Sequence, residues 1–66
     1  MDDTAAAGVA HFQIVSESDG RYHWELINPH GTPAARSSAS YASEEEAVAG
    51  AEQARRLIGQ AAIKRP

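Results

Sequence analysis

Among its 66 residues the chain has no cysteine. That excludes disulfide staples, thiolate metal sites and cysteine nucleophiles. It fits a reducing compartment. Basic residues are few, six Lys and Arg against nine Asp and Glu, for a net charge of −3. A nucleic-acid binder normally carries a basic footprint. Here Arg21, Arg36, Arg55, Arg56, Lys64 and Arg65 are scattered along the chain, so a nucleic-acid partner is not expected. Long apolar runs are also missing, and no segment is long enough to span a bilayer. The N-terminal stretch Met1–Gly8 lacks the basic start and apolar core of a secretory signal. The expected location is the cytoplasm. There is no phosphate-cradling glycine loop and no internal repeat.

A chain this short buries only about 60% of the surface its unfolded form exposes. Small domains compensate with disulfides, a metal or a partner chain. Cysteine is absent, so a second copy of the chain becomes the expected source of stability.

Residues 1–10 read as a flexible, alanine-rich arm. A regular pattern begins at His11. Phe12, Ile14 and Val15 mark a first strand over His11–Ser16, and Ser18-Asp19-Gly20 a three-residue turn with Gly20 in the left-handed position. Arg21–Ile27 alternates Tyr22, Trp24 and Leu26 against His23 and Glu25, a strong strand pattern. With that turn, Ser16 faces Tyr22, Ile14 faces Trp24 and Phe12 faces Leu26. The large apolar residues then share one face, leaving Val15 and Ile27 on the other. A one-residue slip would separate Phe12 from Trp24. Asn28-Pro29-His30-Gly31 is a second turn, with proline presetting φ and Gly31 again left-handed. Thr32–Tyr41 reads as a third strand, poor in strand formers and with Pro33 near its start.

Ser43-Glu44-Glu45-Glu46 is a capping box. The Ser43 hydroxyl accepts from the Glu46 N–H, and the Glu46 carboxylate reaches back to the N–H of Ser43. Early glutamates and late Arg55 and Arg56 oppose the helix dipole. Ala47, Ala51, Ala54, Ile58 and Ala62 share one face, flanked by Val48 and Leu57. The helix ends at Gly59 or frays to Ala62, and residues 63–66 form a tail. The candidate core is Phe12, Ile14, Tyr22, Trp24, Leu26, Val48, Leu57 and Ile58.

Gly20, Tyr22, Trp24 and Leu26, the turn residues Asn28 and Gly31, the stretch Ser37, Ser38, Tyr41, Ser43, and Ala47, Gly50, Ala51 of the helix together resemble the YegP-like family of small bacterial proteins. The resemblance covers His11–Ala61. It implies a single-copy β-β-β-α unit that must self-associate, with no cofactor and no established activity, so no catalytic residues carry over. The chain departs from the family pattern where Pro29 and His30 separate Asn28 from Gly31, and where Ala34, Ala51 and Ala54 replace larger aliphatics.

Other chemistries are weaker on the residues themselves. His11 and His23 lie on one side of the sheet but four strand residues apart, roughly 13 Å at ~3.3 Å per residue. A single zinc with bonds near 2 Å cannot take both. His30 sits at the far turn, and all three read as solvated histidines. Tyr22 and Trp24 could stack bases, but read first as core beneath the helix. The Ser37-Ser38-Ala39-Ser40 run lacks a nucleophile elbow or a locally placed base.

The expected fold is α+β, a three-stranded antiparallel sheet followed by one C-terminal helix, over residues 11–62, paired as a two-layer α/β homodimer. The expected function is a non-catalytic binding or interaction module. Asn28–Gly31 and Ser37–Tyr41 are the parts not visibly consumed by the fold. A composite enzyme site at the dimer seam, using His11 or His23 with a serine, and single-stranded nucleic-acid binding through Tyr22 and Trp24 are the alternatives.

Overall fold

The computed structural model describes residues 8–66. Most of the expected arm at 1–10 therefore lies outside the described residues. Four elements follow in order: β1 His11–Ser16, β2 Tyr22–Ile27, β3 Pro33–Arg36 and α1 Glu44–Gln60. The strands form an antiparallel sheet in the order β1-β2-β3.

The first hairpin has the register that its turn dictates. Ser16 pairs with Tyr22, Ile14 with Trp24 and Phe12 with Leu26. The turn closes through Glu17 N–H to Arg21 O at 2.7 Å and Gly20 N–H to Glu17 O at 3.1 Å, with Gly20 at φ 84°. Asp19 Oδ1 accepts from the Arg21 N–H, so the turn also binds itself through a side chain. On the helix-facing side, Phe12 meets Trp24 edge to face, with ring centroids 5.3 Å apart. Such a pair adds about 0.5–1.5 kcal/mol beyond area burial.

The second turn is built by Asn28. Its Oδ1 accepts from the N–H groups of His30 and Thr32, and its Nδ2 donates to Thr32 Oγ1 at 2.7 Å. Gly31, at φ 92°, donates its N–H to Asn28 O. Asn28 is thus consumed by the fold, contrary to the sequence expectation that this turn was spare. The Gly8 N–H donates to Pro29 O at 2.8 Å, pinning the approach to β1 against the same turn.

The third strand is shorter than Thr32–Tyr41, and one serine explains why. Ser37 donates its backbone N–H to Trp24 O, and its side-chain Oγ takes the Trp24 N–H at 3.2 Å. That hydroxyl then donates to Ala39 O at 2.9 Å. A side chain has replaced a backbone acceptor in the ladder, so the main chain at Ser38–Ser40 loops out. Pairing resumes at Tyr41, which exchanges two backbone hydrogen bonds with Tyr22. A second irregularity falls at Leu26/Ile27, where β3 enters through Pro33.

Helix α1 begins as its capping residues require. Ser43 Oγ accepts from the Glu46 N–H at 3.1 Å. The Glu46 carboxylate reaches Ala42 N–H, one residue earlier than the capping box predicted. The helix runs through Gly59 and stops at Gln60, where Ala61 turns extended. Its last turn holds no basic residue, because Arg55 and Arg56 fall before it. Ala47 and Ala51 are buried against the sheet. Gly50 lies directly over the Tyr41 ring, and an ideal Cβ there would stand 2.6 Å from Tyr41 Cζ. Absence of a side chain at Gly50 is what lets Tyr41 pack under the helix.

The core is smaller than the candidate set. Trp24, Ile27, Ala47 and Ala51 are buried, whereas Val48, Leu57 and Ile58 are 41%, 58% and 51% exposed. Alanine lets α1 sit close to the sheet, but the larger side chains on its flanks then reach past the sheet rather than into it. Ile27, expected on the uncovered face, is buried, and so is His23. Trp24 Nε1 is buried and meets no acceptor among the described residues.

Candidate functional site

Among the described residues, two places concentrate chemistry or unfilled surface. The first is a polar cluster on the sheet face away from α1. Glu17 follows β1 at the start of the first turn, and His23 and Glu25 lie two apart on β2 toward the same side. Glu17 Oε2 lies 2.8 Å from His23 Nδ1, and Glu25 Oε2 lies 3.2 Å from His23 Nε2. Ser40, from the looped segment, donates its hydroxyl to both Glu17 oxygens at 3.1 Å. Arg21 donates to Ser40 O at 2.8 Å. The cluster ties the first turn, the central strand and the loop after β3 into one body.

Its chemistry follows from donors and acceptors. Carboxylates only accept, so a ring protonated on both nitrogens donates to both. Such charge-assisted bonds are about twice as strong as neutral ones. A nucleophilic serine needs a histidine nitrogen to take its proton. Here both His23 nitrogens face carboxylates, and the Ser40 hydroxyl meets Glu17 rather than the imidazole. The arrangement is that of a structural latch.

The expectation of a solvated His23 is therefore corrected: the side chain is buried and bound at both ends. A sequence signal for this existed. Glu25 lies two residues along the same strand face, and Glu17 is a diagonal cross-strand neighbour of His23 once Val15 faces it. The other histidines do not join it. His11 Nδ1 sits 3.2 Å from Val9 O, and His30 is exposed in the second turn. Among the described residues, no group of three or more His, Cys, Asp or Glu is placed to hold a metal ion.

The second place is a cleft of about 250 Å³ between β1 and α1. Phe12 and Ile14 form its floor, Val48 and Ala51 its wall, and Glu52 and Arg55 its rim. It runs along the edge of β1 with which no described strand pairs, and its surface is mostly apolar. Beside it, around the start of α1, Glu44, Glu45 and Val48 line a more polar recess.

The signature residues divide between these regions and the fold. Gly20, Asn28 and Gly31 make turns. Trp24 sits beneath the helix and is only 9% exposed, while Tyr22 and Leu26 are half-buried beside it. A reading in which Trp24 stacks on a base would need that layer uncovered. Tyr41 and Gly50 pack on one another, and Ser43 caps the helix. Ser38 is exposed in the looped segment, next to the buried Ser37. No helix among the described residues is long and apolar enough to cross a membrane.

Comparison with known proteins is sparse. No family model matches the chain, and no curated protein does. A protein from Haloferax volcanii, solved by NMR in solution, is 30% identical and superposes with a TM-score of 0.73, covering 86% of this chain and 95% of its own.

Proposed function

The chain belongs to the same family as the Haloferax volcanii protein, and on that premise we propose that it is a small non-catalytic module that works as a self-associated pair and binds a further partner or ligand at the seam. The observation that carries this reading is the apolar surface left open by a single chain. Val48 stands 41% exposed on the wall of an apolar cleft, and Leu57 and Ile58, farther along α1, are 58% and 51% exposed. Apolar side chains left in solvent on so small a domain mark interaction surface. The marginal core expected of a chain this short points the same way.

The YegP-like resemblance supports a unit of this kind, bacterial in type and resident in the cytoplasm. The polar cluster supports a non-catalytic role, since its histidine has no nitrogen left for a substrate. Light scattering over a dilution series, with thermal unfolding at each concentration, tests the reading. A native mass near twice 7.0 kDa, and a melting midpoint that falls on dilution, are expected. A folded species of single-chain mass at every concentration would overturn it.

A further inference from the structure

We propose that the cleft between β1 and α1 binds a free α-amino acid with a large apolar side chain, its side chain on Phe12 and Ile14, its ammonium on Glu52 and its carboxylate on Arg55. This rests on the ligand-binding half of the reading above and names the class of the ligand.

The helix side of the cleft is one stripe. Val48, Ala51, Glu52 and Arg55 are spaced i, i+3, i+4 and i+7, so they stand along a single face of α1. The stripe changes character halfway, from apolar at Val48 and Ala51 to charged at Glu52 and Arg55. A stripe seated on a sheet is apolar throughout, and one facing water is polar throughout. This one suits a guest with an apolar body and a charged end. Opposite it, Phe12 and Ile14 alternate on the helix-facing side of β1 and are only half-buried. Val48 is likewise 41% exposed, so the cleft is apolar surface still in contact with water.

The two charges select the guest. Residues three apart on a helix have Cβ atoms about 5–6 Å apart and ordinarily pair when their signs differ. Here Glu52 and Arg55 do not pair: the ion pairs among the described residues belong to His23. Both side chains are exposed at the rim. They present an acceptor and a set of donors side by side. A simple anion would be repelled by Glu52 and a simple cation by Arg55. A molecule carrying both signs close together complements the pair. Guanidinium also grips a carboxylate through two parallel hydrogen bonds. An α-amino acid holds ammonium, carboxylate and side chain on one carbon, as the layout of the cleft requires.

Size narrows the class further. The cleft is about 250 Å³. At ~30 Å³ per water that is space for roughly eight waters, or about ten covalently joined non-hydrogen atoms. Leucine, methionine and phenylalanine are of that order. A lipid chain is too long, and alanine leaves the floor wet. The first residue of a peptide lacks the carboxylate that Arg55 would take. Because the rim is exposed, affinity is modest, with a dissociation constant on the order of 1 mM.

Titration of the full chain with L-leucine tests this, read by backbone amide shifts and by emission of the single tryptophan. That residue, Trp24, has its ring 5.3 Å from the Phe12 ring. Leucinamide lacks the carboxylate, 4-methylpentanoate lacks the ammonium, and alanine lacks the large side chain. Expected is saturable binding of leucine with shifts at Phe12, Ile14, Val48 and Ala51, and binding about tenfold weaker for each of the other three. Arg55→Gln and Glu52→Gln, both at exposed positions, should each weaken leucine by about tenfold without lowering the melting midpoint. Leucinamide or 4-methylpentanoate binding as well as leucine would overturn the zwitterion, and alanine binding as well would overturn the apolar subsite. Native mass by light scattering on the same samples separates this from self-association. A pair that shows no leucine shifts overturns the amino-acid site and leaves self-association standing. A single-chain species that binds leucine with the expected discrimination overturns self-association and leaves the site standing. A single-chain species that does not bind overturns both.

Discussion

Gly50→Ala tests the seat of the helix. In the middle of an exposed helix, replacing glycine by alanine stabilises by roughly 0.5–1 kcal/mol, because glycine loses more backbone freedom on folding. Gly59, in the last turn of the same helix, is free of any clash: a Cβ there meets nothing within 4 Å. At Gly50 the new carbon would stand 2.6 Å from Tyr41 Cζ and 3.0 Å from Cε1, and closer still to the hydroxyl. Those atoms belong to a rigid ring, so the ring or the helix must move by about an ångström. Tyr41 is held by two backbone hydrogen bonds to Tyr22, at 2.7 and 2.9 Å, so its displacement strains the place where the third strand rejoins the sheet. Overpacking of this kind costs about 1–3 kcal/mol. In a domain of this size each kcal/mol moves the melting midpoint by about 4–8 °C. Gly50→Ala is therefore expected to lower the midpoint by roughly 5–15 °C, while Gly59→Ala raises it by a few degrees. Circular dichroism melts at one fixed protein concentration measure both. In a Tyr41→Leu background the penalty of Gly50→Ala should largely vanish, which assigns the effect to that contact. If Gly50→Ala raised the midpoint as Gly59→Ala does, the close packing of Tyr41 under α1 would be refuted.

Ser37→Ala should cost about 1–3 kcal/mol in urea unfolding, because it leaves the buried Trp24 N–H without its acceptor; a loss below 0.5 kcal/mol, by that same scale, would mean the ladder closes without it. Ser43→Ala removes the helix cap and should cost about 1 kcal/mol, with Ser43→Asp restoring it, as read by the same titration. His23→Leu sets two part-buried carboxylates on an apolar side chain and should destabilise by about 1–3 kcal/mol. Adding Glu17→Gln and Glu25→Gln should recover part of that, and no recovery would show that the cluster acts through shape rather than charge.

The parts of this fold legible in the sequence are those fixed by local rules. The register of the first hairpin follows from Ser18-Asp19-Gly20 together with the shared phase of Phe12, Ile14, Trp24 and Leu26. The start of α1 follows from Ser43 and Glu46. The third strand was overdrawn because strand alternation does not reveal that the Ser37 hydroxyl will displace a backbone acceptor. The helix face was read correctly at Ala47 and Ala51, yet Val48, Leu57 and Ile58 were placed in the core. Periodicity gives the side of a helix but not how far the sheet beneath it extends. The histidines are weighed in the sequence as metal ligands and as partners of a serine, not as partners of carboxylates. The carboxylates that bind His23 were visible in the same register, but whether they would close on the ring depended on the path of the chain through Ser40.

The two margins of the sheet are not alike. Along β3 the ladder is short, begins at a proline, and is broken where Ser37 turns the chain away. Such a margin offers a newcomer few consecutive backbone groups. Along β1 the groups of Phe12, Ile14 and Ser16 are continuous. A further strand would meet a longer run of outward-facing backbone groups along β1 than along β3. The hydroxyl of one serine, by taking the place of a backbone acceptor, leaves β3 a margin that other strands find hard to extend.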